Sequence, residues 1–216
     1  DDFPDEECNQ KVNIKVFGVG GGGNNAVNRM KLNGEKNAEL VVVNTDIPVL
    51  RSSPVRSKIA IGKKTTRGHG AGANPESGKL AAEESIELIK KKLEGVDMLY
   101  ITAGMGGGTG TGAAPVVARI AQEKGMLTIG IVTIPFFFEG EKKILKALDG
   151  AEEMSKYVDA LLLVNNEQLT EIYADLNWLN AFGKADDTLS NAARSISELI
   201  TCDGYMNLDF KDVKKT

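Results

Sequence analysis

Residues 103–115 read AGMGGGTGTGAAP and place six glycines in the nine positions from Gly104 to Gly112, with only Met105, Thr109 and Thr111 between them. Glycine in ordered structure costs about 0.5–1 kcal/mol relative to alanine through lost chain entropy, so a run this dense must be offset by something the bare backbone does. A flexible linker, a set of tight turns, and a cradle of main-chain N–H groups closing on an anion are the three candidates. Linkers are flanked by polar, low-complexity sequence. Here the flanks are apolar on both sides, with Met98 to Ile101 before and Ala113, Ala114, Val116 and Val117 after. The glycines join two buried elements.

The rest of the chain alternates β-branched runs with helical patterns, the pattern of a parallel α/β sheet. VNIKVFGVG, LVVVNTD, VDMLYIT, MLTIGIVTIP and DALLLV read as strands, and SKIAIG as a short edge strand. Helices are expected over NNAVNRMKL, over one long stretch NPESGKLAAEESIELIKKKLEG, over AAPVVARIAQEKG and EKKILKALDGAEEMSKY, and from about Ala181 to Ile200. In the long stretch Asn74 suits the N-cap and Pro75 the first helical position, and Leu80, Leu88, Ile89 and Leu93 are expected to share its apolar stripe. The fold class is α/β: a doubly wound, mostly parallel, Rossmann-like sheet with a long core helix near its C-terminal end.

The domain reading is an acidic tail over 1–10 without a fixed fold, an α/β domain over 11–180, the core helix over 181–203 and a loop over 204–216. The chain has no initiator Met and stops in what reads as the start of a new element, so a further C-terminal domain is expected beyond it. With 26 Lys and Arg against 30 Asp and Glu, the net charge of −4 provides no basic field for nucleic acid or acidic lipid. Two distant cysteines, Cys8 and Cys202, and the single His69 give no zinc spacing. No apolar run is long enough for a membrane span, and a reduced, cytoplasmic setting follows.

Glycine turns between a strand and a helix aim backbone donors outward at the positive end of a helix dipole, which is an anion site with a physical cause. GVGGGGNN and AGMGGGTGTG are two such turns, and GHGAGANPE is a third ahead of a capped helix. In a parallel sheet all three emerge at the same edge, so several phosphates are the natural guest. Taken alone, the first turn is ambiguous. Gly18, Gly20 and Gly23 fit G-x-G-x-x-G with Asp46 at the ribose-acid position, so an NAD site of an oxidoreductase and a merely tight turn both stand. The second turn, with its six glycines, weighs against NAD, because a dinucleotide fold has no use for another such cradle. A P-loop fails on spacing, because five residues separate Gly72 from Gly78 and Leu80 stands where Ser or Thr should bind Mg²⁺. Phosphate charge then falls to main-chain N–H groups, helix ends and the Thr109 and Thr111 hydroxyls, with a bound cation.

At this point six motifs carry a resemblance: GVGGGGNNAVNRM, VNTD, TRGHGAGANPE, ITAGMGGGTGTGAAPVVARIA, IVTIPFFFEG and GYMNLDFKD, in order and at family-like spacing. GGGTGTG resembles the tubulin/FtsZ signature, in its FtsZ form. The resemblance covers nearly everything from Lys11 to Thr216 and implies a GTP-binding domain of the bacterial division GTPases. It implies GTP or GDP as ligand, Mg²⁺ during hydrolysis, and self-assembly head to tail into filaments. It further implies division-ring partners reached through a C-terminal tail outside this chain, and a cytoplasmic location at the division site. An NAD-linked oxidoreductase and a nucleotide-binding scaffold without turnover are the other readings that stay open.

The same resemblance implies roles for individual residues. Gly20, Gly21 and Gly22 approach the diphosphate, with Asn25 and Arg29 towards the guanine side. Ala71, Gly72 and Ala73 sense the γ-phosphate, and Gly104, Gly107, Gly108, Thr109, Gly110 and Thr111 wrap the α- and β-phosphates. Pro135 and Glu139 form the ribose loop; Asn166, Phe182 and Asp186 form the base pocket, with Asp186 as the specificity residue. FEGEKK departs from the usual FEGRxR, and Lys143, lacking the guanidinium fork, is a weaker phosphate ligand. Asn207, Asp209 and Asp212 are the implied catalytic residues. They follow a helix of roughly 20 residues, about 30 Å long, so they would serve the nucleotide of the next subunit.

Overall fold

The computed structural model describes residues 12–173, 177 and 180–201, the last six in backbone only. In chain order the elements are β1 (Ile14–Val19), α1 (Gly20–Leu32), β2 (Glu39–Asn44), α2 (Ile47–Ser52), β3 (Ser57–Ala60), α3 (Pro75–Glu84) and α4 (Ile86–Lys92). They continue as β4 (Met98–Gly104), α5 (Thr109–Glu123), β5 (Leu127–Ile134), a 3₁₀ turn at Phe137–Glu139, α6 (Glu141–Ser155), β6 (Ala160–Asn165), α7 (Gln168–Ile172) and α8 (Ala181–Thr201). The six strands form one sheet in the order β3-β2-β1-β4-β5-β6, every pair parallel. This is the expected doubly wound sheet, and its topological switch lies between β1 and β4.

The two faces follow from alternation along each strand. Phe17, Val19, Val41, Val43, Leu99 and Ile101 point to one side, where Ala81, Ile89, Ala114, Val117, Ala147 and Met154 of α3 to α6 cover them. Ile14, Val16, Val42, Met98, Tyr100 and Ile131 point to the other, beneath Val27 and Met30 of α1 and Leu189 and Ala193 of α8. Burying both faces explains the nearly unbroken apolar runs of the central strands.

Two expectations are corrected. The stretch after Asn74 is not one helix but two, α3 and α4, broken at Ser85. There the serine hydroxyl accepts the Gly62 N–H at 3.0 Å and the backbone leaves helical geometry at φ −110°, ψ 17°. Ile89 and Leu93 are buried as expected, but Leu80 and Leu88 are about half exposed, and on α3 it is Gly78, Ala81 and Ala82 that are buried. The reason is close approach, because a Cβ on Gly78 would sit 2.3 Å from the Gly108 carbonyl oxygen, so α3 lies on backbone and has no room for leucine there.

The helices also begin earlier than the apolar patterns suggest. Gly20–Gly23 form the first turn of α1, and Thr109–Gly112 the first turn of α5. Asn74 and Pro75 take the expected cap positions, the Asn74 side chain accepting the Glu76 N–H at 3.1 Å.

Packing of α3 on α5 makes Gly112 a sharp test. A Cβ there would lie 1.9 Å from the Pro75 carbonyl oxygen and 2.6 Å from the Lys79 nitrogen, whereas one on Gly107 would meet nothing within 4 Å. Gly112→Ala is expected to cost about 1–3 kcal/mol or more in urea titrations followed by circular dichroism, and Gly107→Ala less than about 0.5 kcal/mol.

Candidate functional site

Register sets the site. Val19 at the end of β1 is level with Ala103 of β4, and Gly104 is level with Thr133 of β5, so the turns leaving these strands start side by side. They touch backbone to backbone: a Cβ on Gly20, whose φ is +73°, would lie 2.6 Å from the Gly110 nitrogen, and one on Gly22 would lie 3.1 Å from the Gly104 Cα. Only residues without a side chain allow this approach.

Above these turns opens a cavity of about 510 Å³. The α1 turn contributes Gly21, Gly22 and Asn25 to its wall, and the α5 turn contributes Gly104, Gly107, Gly108, Thr109 and Gly110. Ala71 and Ala73 come from the loop before α3, Pro135, Glu139 and Lys143 from the β5–α6 connection, and Asn166, Phe182 and Asp186 from beyond β6. Four residues singled out in the sequence do not line it: Gly20, Gly72, Arg29 and Thr111. Asn207, Asp209 and Asp212 lie outside the described residues.

Three of these absences have a local cause. The Thr111 hydroxyl accepts the Gly106 N–H at 2.8 Å and so braces the turn from behind. Gly20 is the point of contact between the two turns, and Arg29 is paired with Asp187. Lys143 reaches the wall, but its ammonium is bound to the Glu139 carboxylate, which also accepts the Phe136 N–H at 3.0 Å. Lys146 is likewise engaged, donating to the Ala73 carbonyl at 3.0 Å. Ala73 itself holds φ +55°, a left-handed conformation rare for a residue with a Cβ.

A buried relay that the motifs did not single out aligns three of the turns. Asn24 Nδ2 donates to the Gly18 carbonyl at 2.6 Å and to the Val43 carbonyl at 3.2 Å, and its Oδ1 accepts from Asn44 Nδ2 at 2.8 Å. Asn44 Oδ1 accepts the Thr45 N–H at 2.8 Å, and the Thr45 and Thr109 hydroxyls are 2.7 Å apart. The signal was present in VNTD, where a polar residue ends an apolar strand and is still only 4% exposed. Asp46, Asn44, Thr133 and Met105 also line the cavity.

The two ends of the cavity differ in chemistry. At the glycine end, α1 and α5 present first-turn N–H groups that helix geometry leaves without partners, and Gly21 and Gly107 face open space. At the far end Phe182 is about half exposed and meets Phe136 and Phe138 edge-on at 5.9 Å. Asn166 is 5% exposed, yet its Oδ1 has no hydrogen-bond partner among the described residues. Burial pushes the Asp186 carboxyl up to about 6; the Arg29 charge and a hydrogen bond from Asn25 pull it down, and the neighbouring Asp187 adds to the rise. A buried acceptor and a desolvated carboxylate beside an aromatic face suit a planar, hydrogen-donating ring. Among the described residues no group of three His, Cys, Asp or Glu side chains comes together, so a cation here would take most of its oxygens from a ligand and water.

With its carboxyl raised towards 6 from an ordinary value near 3.9, Asp186 binds its proton more tightly in the folded protein than in the unfolded chain. Stability of the ligand-free protein therefore falls as pH rises from about 4 through 6. Asp186→Asn is expected to match the parent near pH 4 and to exceed it by up to about 3 kcal/mol at pH 7, in paired urea titrations.

A profile of the Tubulin/FtsZ family, GTPase domain, matches residues 13–174. The chain is 55% identical over 207 residues to the cell division protein FtsZ of Porphyromonas gingivalis, covering 95% of this chain and 45% of that protein. Among solved structures it is similar to an empty FtsZ dimer of M. jannaschii, at 46% identity and a TM-score of 0.91, over 94% of this chain and 60% of that one. CetZ2 from Haloferax volcanii, solved as a GTPγS-bound protofilament, shares the fold at 23% identity and a TM-score of 0.81, over 95% and 63% of the two chains. The chain thus spans about half the length of the curated relative it matches.

Proposed function

Since the chain belongs to the Tubulin/FtsZ family, we propose that its cavity binds GTP and GDP, and that the whole protein hydrolyses GTP as it assembles with further copies of itself in cell division. The observation that carries the ligand is the pairing, at one end of the cavity, of the unpartnered Asn166 Oδ1 with the Asp186 carboxyl. Guanine presents adjacent N1–H and N2–H donors to a carboxylate, a pair that adenine lacks. Asp186 takes this pair, Asn25 holds Asp186 in place, Asn166 bonds the ring and Phe182 lies against its face.

The remaining roles follow from position. Pro135 and Glu139 stand where the ribose passes, and the N–H groups of Gly21, Gly22 and the turn from Gly107 to Gly110 meet the α- and β-phosphates. The loop from Ala71 to Ala73, in which Lys146 holds a left-handed residue, meets the γ-phosphate. Gly20 and Thr111 keep the cradle in shape, and Arg29 acts on the base through Asp186. No free lysine is needed, because orphan N–H groups and helix ends supply the positive potential. Mg²⁺ would supply neutralisation of phosphate charge if bound with the nucleotide, held chiefly by the nucleotide's own oxygens and water.

Hydrolysis requires a polarised water, and in this reading Asn207, Asp209 and Asp212 of the next subunit supply it. A head-to-tail contact of this kind is heterologous and builds an open filament. The dimeric FtsZ of M. jannaschii supports self-association.

In calorimetric titrations of this chain GDP and GTP are expected to bind, with ATP and NAD at least about 100-fold weaker; equal binding of ATP or NAD would overturn the assignment. Asp186→Ala should remove most of that discrimination. In the full-length protein, Asp209→Ala and Asp212→Ala are expected to abolish phosphate release while GTP affinity stays within a few-fold, and loss of binding in both would place these acids elsewhere.

A further inference from the structure

Between Ile47 and Pro75 the chain has no Asp or Glu and six Lys or Arg: Arg51, Arg56, Lys58, Lys63, Lys64 and Arg67. In a protein of net charge −4 this is a strong local excess. Five of the six are exposed and Lys58 is half-buried, and they follow the outer edge of the sheet along β3. None forms an ion pair with a described residue. Four acids nearby are already committed. Glu39 pairs with Lys15 at 3.0 Å, Glu35 accepts the Asn37 N–H, Asp46 caps α2 through the Val49 N–H, and Glu84 accepts the Lys64 and Thr65 N–H groups.

A lysine on an edge strand is a common guard against sheet-to-sheet association. That accounts for Lys58, whose Nζ also donates to the Ser53 and Arg51 carbonyls at 2.8 and 3.4 Å and keeps its charge unpaired, but not for cations on α2, before β3 and in the loop after it. A basic ridge also extends the stripe towards the start of the described chain. Lys15 Nζ donates to the Lys92 carbonyl at 2.9 Å, and Lys92 Nζ to the Ser57 hydroxyl at 3.1 Å. Asn13 is fixed beside this ridge by bonds to Asp97 and Gly95.

The first ten residues carry the opposite charge: Asp1, Asp2, Asp5, Glu6 and Glu7, with no Lys or Arg. We propose that this acidic stretch, which lies outside the described residues, docks on the basic stripe of the same chain, against Lys92, Arg56 and Lys58. The lengths permit it. Ser57 is level with Val41 and Val41 with Phe17, so the near end of the stripe is two strands across and five residues along from Val12, roughly 20 Å in all. Eleven extended residues span up to about 36 Å. The acids therefore reach Lys58 and Lys92, while Lys63 and Lys64 sit at the limit of reach. The contact masks a positive field that continues, through Arg67 and Gly68, into the loop beside the cavity, and it does not depend on what the cavity binds.

The test is zero-length carbodiimide cross-linking of this chain with peptide mapping, at about 20 mM and about 500 mM salt, where the screening length falls from about 20 Å to about 4 Å. Acids of 1–7 are expected to join Lys58 and Lys92 at low salt in the monomer fraction, with yield falling at least about five-fold at high salt. A chain carrying Asp1→Asn, Asp2→Asn, Asp5→Asn, Glu6→Gln and Glu7→Gln should leave Lys58 and Lys92 unlinked to the segment. Equal yields at Lys124 and Lys184, yields unchanged by salt, or links confined to dimers and lost on dilution would each overturn the proposal.

Discussion

The structure depends on the approach of two peptide backbones at its centre. The turns after β1 and β4 leave adjacent, level strands, and the Gly20 and Gly110 backbones meet with no space for a Cβ. A side chain at either place would push α1 and α5 apart and so separate their first-turn N–H groups. The same closeness extends outward, where Gly112 and Gly78 let α3 rest on the backbone of α5 and bring the Ala71–Ala73 loop to the rim. Five of the six glycines from Gly104 to Gly112 thus meet other parts of the protein, and Gly107 looks onto open space, as Gly21 and Gly72 do in the other two turns.

Glycine turns make poor scaffolds by themselves, because the freedom that permits close approach also permits many other conformations. The buried relay from Asn24 through Asn44 and Thr45 to Thr109 offsets this, tying the turns after β1, β2 and β4 together by side-chain hydrogen bonds in a region closed to water. A hydrogen bond there is strong and its loss is costly, since the remaining partner is left buried and unpaired. The cradle can then depend on backbone donors, while the ammonium groups of Lys143 and Lys146 hold neighbouring loops.

Much of this was legible in the sequence, and the misses share a cause. Periodicity located all six strands and the long final helix because burial on two faces leaves an unbroken apolar record in β4 and β5. It placed Leu80 and Leu88 in the core because hydrophobicity was read where the deciding quantity was size: α3 meets a backbone, so its buried face is Gly78, Ala81 and Ala82. It joined α3 to α4 because Ser85 is compatible with a helix until its hydroxyl finds the Gly62 N–H, a partner distant in sequence. The contacts of Thr111, Lys143 and Arg29 were hidden for the same reason. Each residue type suits a phosphate or a base, and only the fold reveals the nearer partners at Gly106, Glu139 and Asp187.

The direction of α8 bears on whether one chain can complete the proposed reaction. Phe182, Ala185 and Asp186 in its first turns line the cavity, whereas Leu189 and Ala193 further along are buried under the sheet with Val16, Met98 and Tyr100. The helix therefore leaves the cavity and crosses the sheet towards the edge where the strands begin. From Asp186 to Thr201 it advances fifteen residues, about 22 Å at 1.5 Å per residue. The helix thus carries the chain out of the cavity that its first turns line, with Thr201 standing about 22 Å along its axis from Asp186.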